Sequence, residues 1–581
     1  MKLIYQRDVN RFVWRFSSLR RLASILVFCA FFAGSVSGQA SRALSQTQES
    51  LHKVPTTEAA GAVHEEGIPV TDPLVIAKCG TCHARDEKGN MERISWARTT
   101  PEGWQNALKR MILLKGVSLT AQEGRLIARY LSTDHGLAPE EAMPVRHIAE
   151  RRIHEESNIS DSDPGKACAK CHAFAVTLSW RRSLEDWKQF VDLHSARYAF
   201  SPNAEVVAYL AKIAPLHSPE WEAWSARTNL PNLAGRWLVT ASMPGRGKYY
   251  GDMQVDRAGD DEFTTRVNLT SIRDGSRTLR TGRSVVYGGY AWRGRSKGGD
   301  PASSVPDDHS SEAREVLWIA PDHSRAEGRW FWGQYQEFGF DVQLQRASSD
   351  ATLLAIDRAS LKAGSRANRV RVIGNNFPAQ VASRDLDFGP GVIVRGIVSN
   401  TSAEIVAEVD VAADARLGKR GVAFRRSVLS GAIAVYDRID YVKVTPESAV
   451  AAFGDSTHPR GYLQFEAIGY QRGADGKLHT ADDVELGPVD ATWSFQVFHA
   501  PEGSNSDFVG RVSASGLFIP ASDNPNRNFD VWVIATARDE NDQNGNPLVG
   551  KSYLVVTIPT YRFNGRKYVR DLDRWVDDGP A

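Results

Sequence analysis

Cys79-Gly-Thr-Cys82-His83 and Cys168-Ala-Lys-Cys171-His172 are two copies of Cys-x-x-Cys-His, about ninety residues apart. The pattern reads as c-type haem attachment: two thiols add across the vinyl groups of one haem, and the adjacent histidine, His83 or His172, becomes the proximal iron ligand. Two copies predict two haems and a path for single electrons. The chain has five cysteines. Cys29 lies in an apolar N-terminal run and the other four are all in the motifs, so no thiol remains for a structural disulfide or a catalytic nucleophile. A zinc site could use both pairs but leaves the two histidines unexplained. A thioredoxin-like redox pair would not come twice, each time with histidine.

The two motifs head an internal repeat. The first copy continues with Ser95-Trp96-Ala-Arg98, Trp104, Met111 and a helix ending Tyr130-Leu131. The second continues with Ser179-Trp180-Arg-Arg182, Trp187, His194 and a helix ending Tyr209-Leu210. In both, the residue seven after the second tryptophan can bind iron. Local signals place helices between these landmarks: Thr100-Pro101-Glu102 as N-cap, Pro and first-turn acid, Gly116 as a stop, Thr120-x-x-Glu123 as a capping box, and Ser201-Pro202 as a second helix start. Each unit resembles the class I cytochrome c plan in compact form. The expected axial pairs are His83/Met111 and His172/His194. Met91 and Met143 are alternatives to Met111, and His135, His147, His154 and His217 are alternatives to His194. Thioether ligation raises a haem potential relative to a second imidazole, so electrons are expected to run from the second haem to the first. Arg98 and Arg182 are candidate partners for haem propionates, or else form exposed salt bridges. Trp104 and Trp187 are expected to pack on haem faces or core.

The N-terminus carries a basic stretch (Lys2, Arg7, Arg11, Arg15, Arg20, Arg21), an apolar run from Leu22 to Phe32, and small residues at Ser35-Val-Ser-Gly38. This reads as a secretory signal, too short for a comfortable span; an uncleaved anchor is the alternative. Export before haem attachment implies the periplasm, and the mature chain has no expected membrane span. Without residues 1–38 the formal charge of +2 becomes about −3, which argues against nucleic acid as a partner. The rest is too long for one core.

From about Asn232 the period changes to two. Gly235-Arg-Trp-Leu-Val-Thr-Ala, Glu262-Phe-Thr-Thr-Arg-Val-Asn-Leu and Phe340-Asp-Val-Gln-Leu alternate between turn residues, which reads as antiparallel sheet closing into a barrel or sandwich. Its Trp and Tyr residues fill a core or a subunit contact, or line a ligand box. The stretch 297–312 is polar with two prolines and is expected as a loop. Beyond about Asp350, Val370-Arg-Val-Ile-Gly-Asn-Asn-Phe-Pro and Glu404-Ile-Val-Ala-Glu-Val-Asp-Val suggest an immunoglobulin-like domain, and Trp493-Ser-Phe-Gln-Val-Phe belongs to a further β-rich section. Acidic loops 474–483 and 539–546 lack the EF-hand spacing and read as turns. A Gly-rich phosphate loop, a nucleophile elbow and HExxH are absent from the sequence.

With its leader, two unequal CxxCH repeats carrying Trp104/Met111 and Trp187/His194, and a long β tail, the chain resembles the large α subunit of quinohaemoprotein amine dehydrogenase. The resemblance covers essentially the whole mature chain. It implies a periplasmic αβγ enzyme that oxidatively deaminates primary amines, with a β-propeller subunit and a small subunit bearing cysteine tryptophylquinone. On that reading this chain carries two haem c groups and no amine chemistry, and it passes electrons to a soluble acceptor such as azurin or a small cytochrome c. The expected fold class is multidomain: an α-helical dihaem cytochrome c domain followed by all-β domains, a β-barrel plus two immunoglobulin-like sandwiches. The expected division is signal peptide 1–38, flexible lead 39–69, cytochrome units 70–155 and 156–230, barrel 231–348, and immunoglobulin-like domains 349–437 and 438–581. Two other functions use the same motifs: a dihaem peroxidase, which needs an open iron, and a dihaem cytochrome scaffold serving another periplasmic dehydrogenase.

Overall fold

The computed structural model describes residues 65–148, 153–154, 163–169, 172–198, 205–227, 232–298, 312–332, 338–454, 460–498, 506–522, 527–558, 566–569 and 574–577. The proposed leader 1–38, nearly all of the lead segment 39–69, Cys171, Ser201-Pro202 and most of the polar loop 297–312 lie outside the described residues.

The first region opens with helix α1 (Pro73–Cys79), capped by the Asp72 carboxylate accepting from the Val75 amide at 2.9 Å. Strand β1 (Ala97–Thr99) then leads into α2 (Pro101–Lys115). Proline at position 101 pushes Thr100 into extended backbone, and the Thr100 hydroxyl accepts from the Gly103 amide at 3.2 Å. Gly116 ends α2 at φ 72°, a left-handed turn that suits a residue without Cβ. Helix α3 (Ala121–Asp134) starts with a reciprocal capping box between Thr120 and Glu123. Helix α4 (Pro139–Ala142) and a ladder of β2 (His147–Ile148) on β3 (Ile153–His154) follow. The second half has α5 (Asp163–Ala169), α6 (Phe174–Leu178), β4 (Trp180–Arg182), α7 (Leu184–Tyr198), α8 (Glu205–Ile213) and α9 (Pro219–Ser225).

This corrects the expected fold class. Among the described residues 46% are in strands and 20% in helices, and no all-α dihaem cytochrome domain stands apart. The first region is itself mixed. β1 and β4 pair antiparallel, Ala97 with Arg182, Arg98 with Arg181 and Thr99 with Trp180. The physical reason is local: each long helix is preceded by extended chain, and the two extended leads satisfy each other's backbone groups. Helical periodicity in the sequence does not report so short a pairing.

Eight strands close a barrel: β5 (Gly235–Met243), β6 (Gly247–Arg257), β7 (Glu262–Ser271), β8 (Arg277–Tyr287), β9 (Ala291–Gly298), β10 (Ala313–Ile319), β11 (Arg325–Trp332) and β12 (Phe338–Arg346), with β12 returning to β5. Closure removes both sheet edges. Trp237, Phe263, Trp292, Trp330 and Phe340 lie in one packed core that also takes Leu137 and Ala142 from the first region. These five aromatics therefore fill the barrel core. A Cβ on Gly251 would meet the Asn268 carbonyl oxygen at 1.8 Å, so glycine is required where β6 crosses close to β7.

Residues 352–436 form two four-stranded sheets that enclose Val370, Phe388, Ile405, Val422 and Val435. Residues 441–557 form a four-stranded sheet and two three-stranded sheets around Val444, Phe453, Phe465, Val531 and Leu554. No helix among the described residues is long and apolar enough to cross a membrane.

Candidate functional site

The turn after α1 gathers the first motif. The Cys82 and His83 amides both donate to the Cys79 carbonyl, at 3.1 and 2.9 Å. Cys79 is half-buried; burial pushes its thiol pKa up, and the nearby Cys82 thiol adds to the rise. Cys82 is exposed. His83 Nδ1 lies 2.9 Å from the Glu92 carbonyl oxygen. A carbonyl only accepts, so Nδ1 carries the proton and Nε2 is left as the donor atom for a metal. His172 is set in the same way, with Nδ1 on the Ala173 carbonyl at 2.9 Å. Cys168 lies half-buried in α5; Cys171 is outside the described residues.

His194 stands on α7, and its ring centroid is 6.3 Å from that of His172, with the planes at 88°. Two imidazoles sharing one first-row metal through nitrogen, at about 2.0–2.1 Å each, have centroids about 6 Å apart. The pair thus fits six-coordinate haem iron by both donor type and spacing. Burial, then the neighbouring His172, holds the His194 pKa down, which favours the neutral, metal-binding imidazole. Phe190 at 5.6 Å and Tyr198 at 4.8 Å flank its ring.

Met111 occupies the matching place on α2. Both α2 and α7 have fifteen residues, with tryptophan (Trp104, Trp187) at the fourth position and Met111 or His194 at the eleventh. Met111 is half-buried. Its alternative Met91 is fully buried in the first core, with its methyl group beside Gly80 between the motif cysteines. Both methionines therefore stand as sulfur donors for the first site. Of the alternatives to His194, His217 donates Nε2–H to the Glu66 carbonyl at 2.7 Å, and His147 and His154 are register partners in the β2–β3 ladder.

Trp104 and Trp187 are anchored alike. Each indole N–H donates to the carbonyl just past the closing helix, Trp104 to His135 at 2.8 Å and Trp187 to Ala214 at 2.9 Å. Trp180 packs on both hydrophobic cores of the first region and meets Trp104 edge-on at 5.8 Å.

The arginines correct the repeat alignment. Counted back from the helices, Arg98 and Arg181 each stand three residues before the first helical residue, and they pair at the centre of the β1–β4 ladder. The structural mate of Arg98 is thus Arg181, one residue away from the expected Arg182. Arg98 is fully buried, and protein groups hold its guanidinium. It makes a bidentate pair with Glu141 at 2.7 and 3.0 Å and donates to the Leu216 and Gly136 carbonyls at 2.6 and 3.1 Å. Arg98 therefore takes the salt-bridge alternative, with Glu141 as its acidic partner, and the bridge is buried where an exposed one was expected. Arg181 approaches the same carboxylate at 3.4 Å, and Ser218 and the Ala138 amide also donate to it. Burial alone raises the Glu141 pKa, but the hydrogen bond and charge of Arg98, with Arg181, outweigh it and hold the carboxyl below its usual range. Sequence reasoning missed Glu141, because nothing local marks it. Arg182, by contrast, lies buried between Trp180, Phe190 and Trp187, paired to Asp186.

His135 caps the end of α3. It is fully buried beside Trp104 and Tyr130, and neither ring nitrogen has a hydrogen-bond partner. Burial, then the Arg98 charge, drives its pKa down to about 3. The folded state therefore holds the neutral ring, and the unfolded chain takes up the proton near pH 6.5. The associated stability is complete above about 6.5 and is lost as pH falls from there toward 3. At pH 5 the loss is roughly 2 kcal/mol. Thermal unfolding followed at the haem Soret band should show this drop between pH 7.5 and 5, and His135→Phe should flatten that part of the slope.

The acidic loops hold themselves. Asp483 accepts from the Gly473 and Thr480 amides and the Tyr441 hydroxyl, and Asp542 from the Asn544 and Asn546 amides. Among the described residues no His/Cys/Asp/Glu group of three or more could hold a metal ion.

Four family models match along the chain. Residues 70–213 match "Quinohemoprotein amine dehydrogenase A, alpha subunit, haem binding", and 231–347, 350–437 and 442–568 match domains II, III and IV of the same alpha subunit. No curated protein matches. Among solved structures, a de novo designed fluorescence-activating β-barrel matches at 16% identity, covering 20% of this chain and 93% of that one, with TM-score 0.16. A redesigned barrel bound to DFHBI matches at 15% identity, 20% and 94% coverage and TM-score 0.17. Sidekick-1 immunoglobulin domains 1–4 match at 11%, 57% and 97% coverage and TM-score 0.13. Such distant likenesses carry no argument. The four family models, laid end to end over the haem region and the three β regions, place the chain in the family of quinohemoprotein amine dehydrogenase alpha subunits.

Proposed function

We propose that this chain is the electron-transfer subunit of a periplasmic amine dehydrogenase, with two covalently attached c-type haems. The observation that carries the reading is the facing of His172 and His194 at 6.3 Å, on helix positions that the first repeat matches with a methionine. Cys79 and Cys82 hold one haem and Cys168 and Cys171 the other. His83 and His172 are the proximal ligands, oriented by carbonyls on Nδ1. His194 completes the second site and Met111 the first. A haem bound in such a site supplies a one-electron couple whose potential follows its axial ligands.

The chain's own residues set ligand type, burial and orientation. With His83 and Met111 available at one site and His172 and His194 at the other, a bound haem would take both its protein ligands from this chain, which would disfavour peroxidase chemistry. The amine chemistry belongs to a cysteine tryptophylquinone on a small partner subunit, accompanied by a β-propeller subunit. Azurin or a small cytochrome c is the acceptor. In the complex purified through this chain, anaerobic addition of a primary amine should reduce the c-type haem without any other donor.

A further inference from the structure

The seam between the two repeats carries a surplus of positive charge. Arg93 follows the first motif, Arg110 precedes Met111 on α2, and Arg182 ends β4 in the second repeat. Arg182 is 7% exposed and pairs with Asp186. The same carboxylate reaches Arg93 Nε at 3.4 Å, and Arg93 also donates to Gln189 at 3.1 Å. Arg110 has no ion-pair partner among the described residues. Arg93 and Arg110 lie close enough to Arg182 to oppose its charge. Arg182 and Arg93 thus share the Asp186 carboxylate, and Arg110 adds a third like charge nearby.

One donor is left over. Arg182 Nε is buried and has no hydrogen-bond partner. Trp180 at 4.5 Å, Phe190 at 5.1 Å and Trp187 at 5.7 Å surround the guanidinium. These rings stabilise a cation through their faces but accept no N–H in its plane. A buried charge beside two like charges is costly unless a further anion joins it, and a guanidinium fork suits a carboxylate.

We propose that Arg93, Arg110 and Arg182 form one anion clamp across the repeat seam, and that its occupant is a haem propionate carboxylate. The inference rests on the dihaem reading and adds Arg93 and Arg110, both from the first repeat, to the surroundings of the haem group that Arg182 meets. The clamp makes one haem's potential depend on residues of both repeats. A cation near a haem disfavours its oxidised form, so removing one should lower that haem's potential.

The test is spectroelectrochemical titration of the full-length holoprotein, wild type against Arg110→Gln and Arg93→Gln, with Lys115→Gln on the same helix as a charge control. Each arginine variant should shift one haem's oxidised-to-reduced ratio at fixed potential by roughly tenfold, about 59 mV for a one-electron couple, while the control leaves both haems in place. Unmoved potentials in both arginine variants would overturn the clamp. Wild-type potentials that change when phosphate replaces chloride at equal ionic strength would also overturn it, because the occupant would then be an exchangeable oxyanion. Fewer than two haems per chain by pyridine haemochrome would instead fail the dihaem reading itself. Retention of the wild-type Soret spectrum establishes that the variants fold.

Discussion

Glu141→Ala should destabilise the haem-binding region by roughly 3–5 kcal/mol, the cost of breaking a buried ion pair from one side. Glu141 is the shared acceptor of Arg98, Arg181, Ser218 and the Ala138 amide. Without it, Arg98 (0% exposed) and Arg181 (9% exposed) keep their charges with no carboxylate between them. The two arginines belong to opposite strands of the β1–β4 ladder, so the loss acts where the repeats join. Measured as thermal unfolding at the Soret band, the midpoint should fall by roughly 10 °C. The pH dependence has a definite sign. The Glu141 carboxyl is held below its usual range, so its contribution is present above about pH 4.3 and is lost as pH falls through the lower folded value. That acid-side loss should vanish in the variant. An unchanged midpoint would show that the Arg98–Glu141–Arg181 contact does not hold the two halves together.

His194→Ala should turn the second haem from six-coordinate low-spin into a high-spin species that binds added imidazole, leaving the first haem untouched. His194 faces His172 at 6.3 Å, and Phe190 and Tyr198 wall its ring. Truncation removes the imidazole that faces His172. His194→Met should keep six ligands and raise the potential of that haem, because thioether ligation favours the reduced iron. The converse change, Met111→His, should lower the potential of the first haem. Room-temperature absorption and EPR of the three variants read spin state and ligand type directly. A low-spin second haem in His194→Ala would remove His194 from the coordination sphere.

What was legible in this site is local. A CxxCH motif points to its chemistry in five residues, and the seven-residue spacing from Trp104 to Met111 and from Trp187 to His194 returns as helix positions four and eleven. The arginine pairing was legible only to within one residue. Ser95-Trp96-Ala-Arg98 and Ser179-Trp180-Arg-Arg182 have equal spacing, but the second helix starts one residue sooner after its arginine, and β1–β4 register then matches Arg98 with Arg181. Glu141 was invisible, since it meets Arg98 across 43 positions with no period to announce it. In the barrel, the alternation read in Glu262-Phe-Thr-Thr-Arg-Val-Asn-Leu matches burial: Phe263, Thr265, Val267 and Leu269 are all buried along β7. Alternation alone left barrel and sandwich open and the family resemblance chose the barrel, because closure depends on β12 returning to β5 over about a hundred residues. The expectation of an α-helical haem domain failed for a related reason. Three-residue strands carry no periodic signal, and the β-rich remainder outweighs the helices.

The central claim is that this chain takes electrons from amine oxidation performed on a partner subunit. The most direct test is anaerobic visible spectroscopy of the intact complex, purified through this chain, before and after addition of a primary amine such as butylamine. The account predicts growth of the reduced c-type α band on amine alone, to the extent that dithionite then produces no more. Haem that dithionite reduces but no primary amine does would contradict it and leave a dihaem cytochrome serving a different donor.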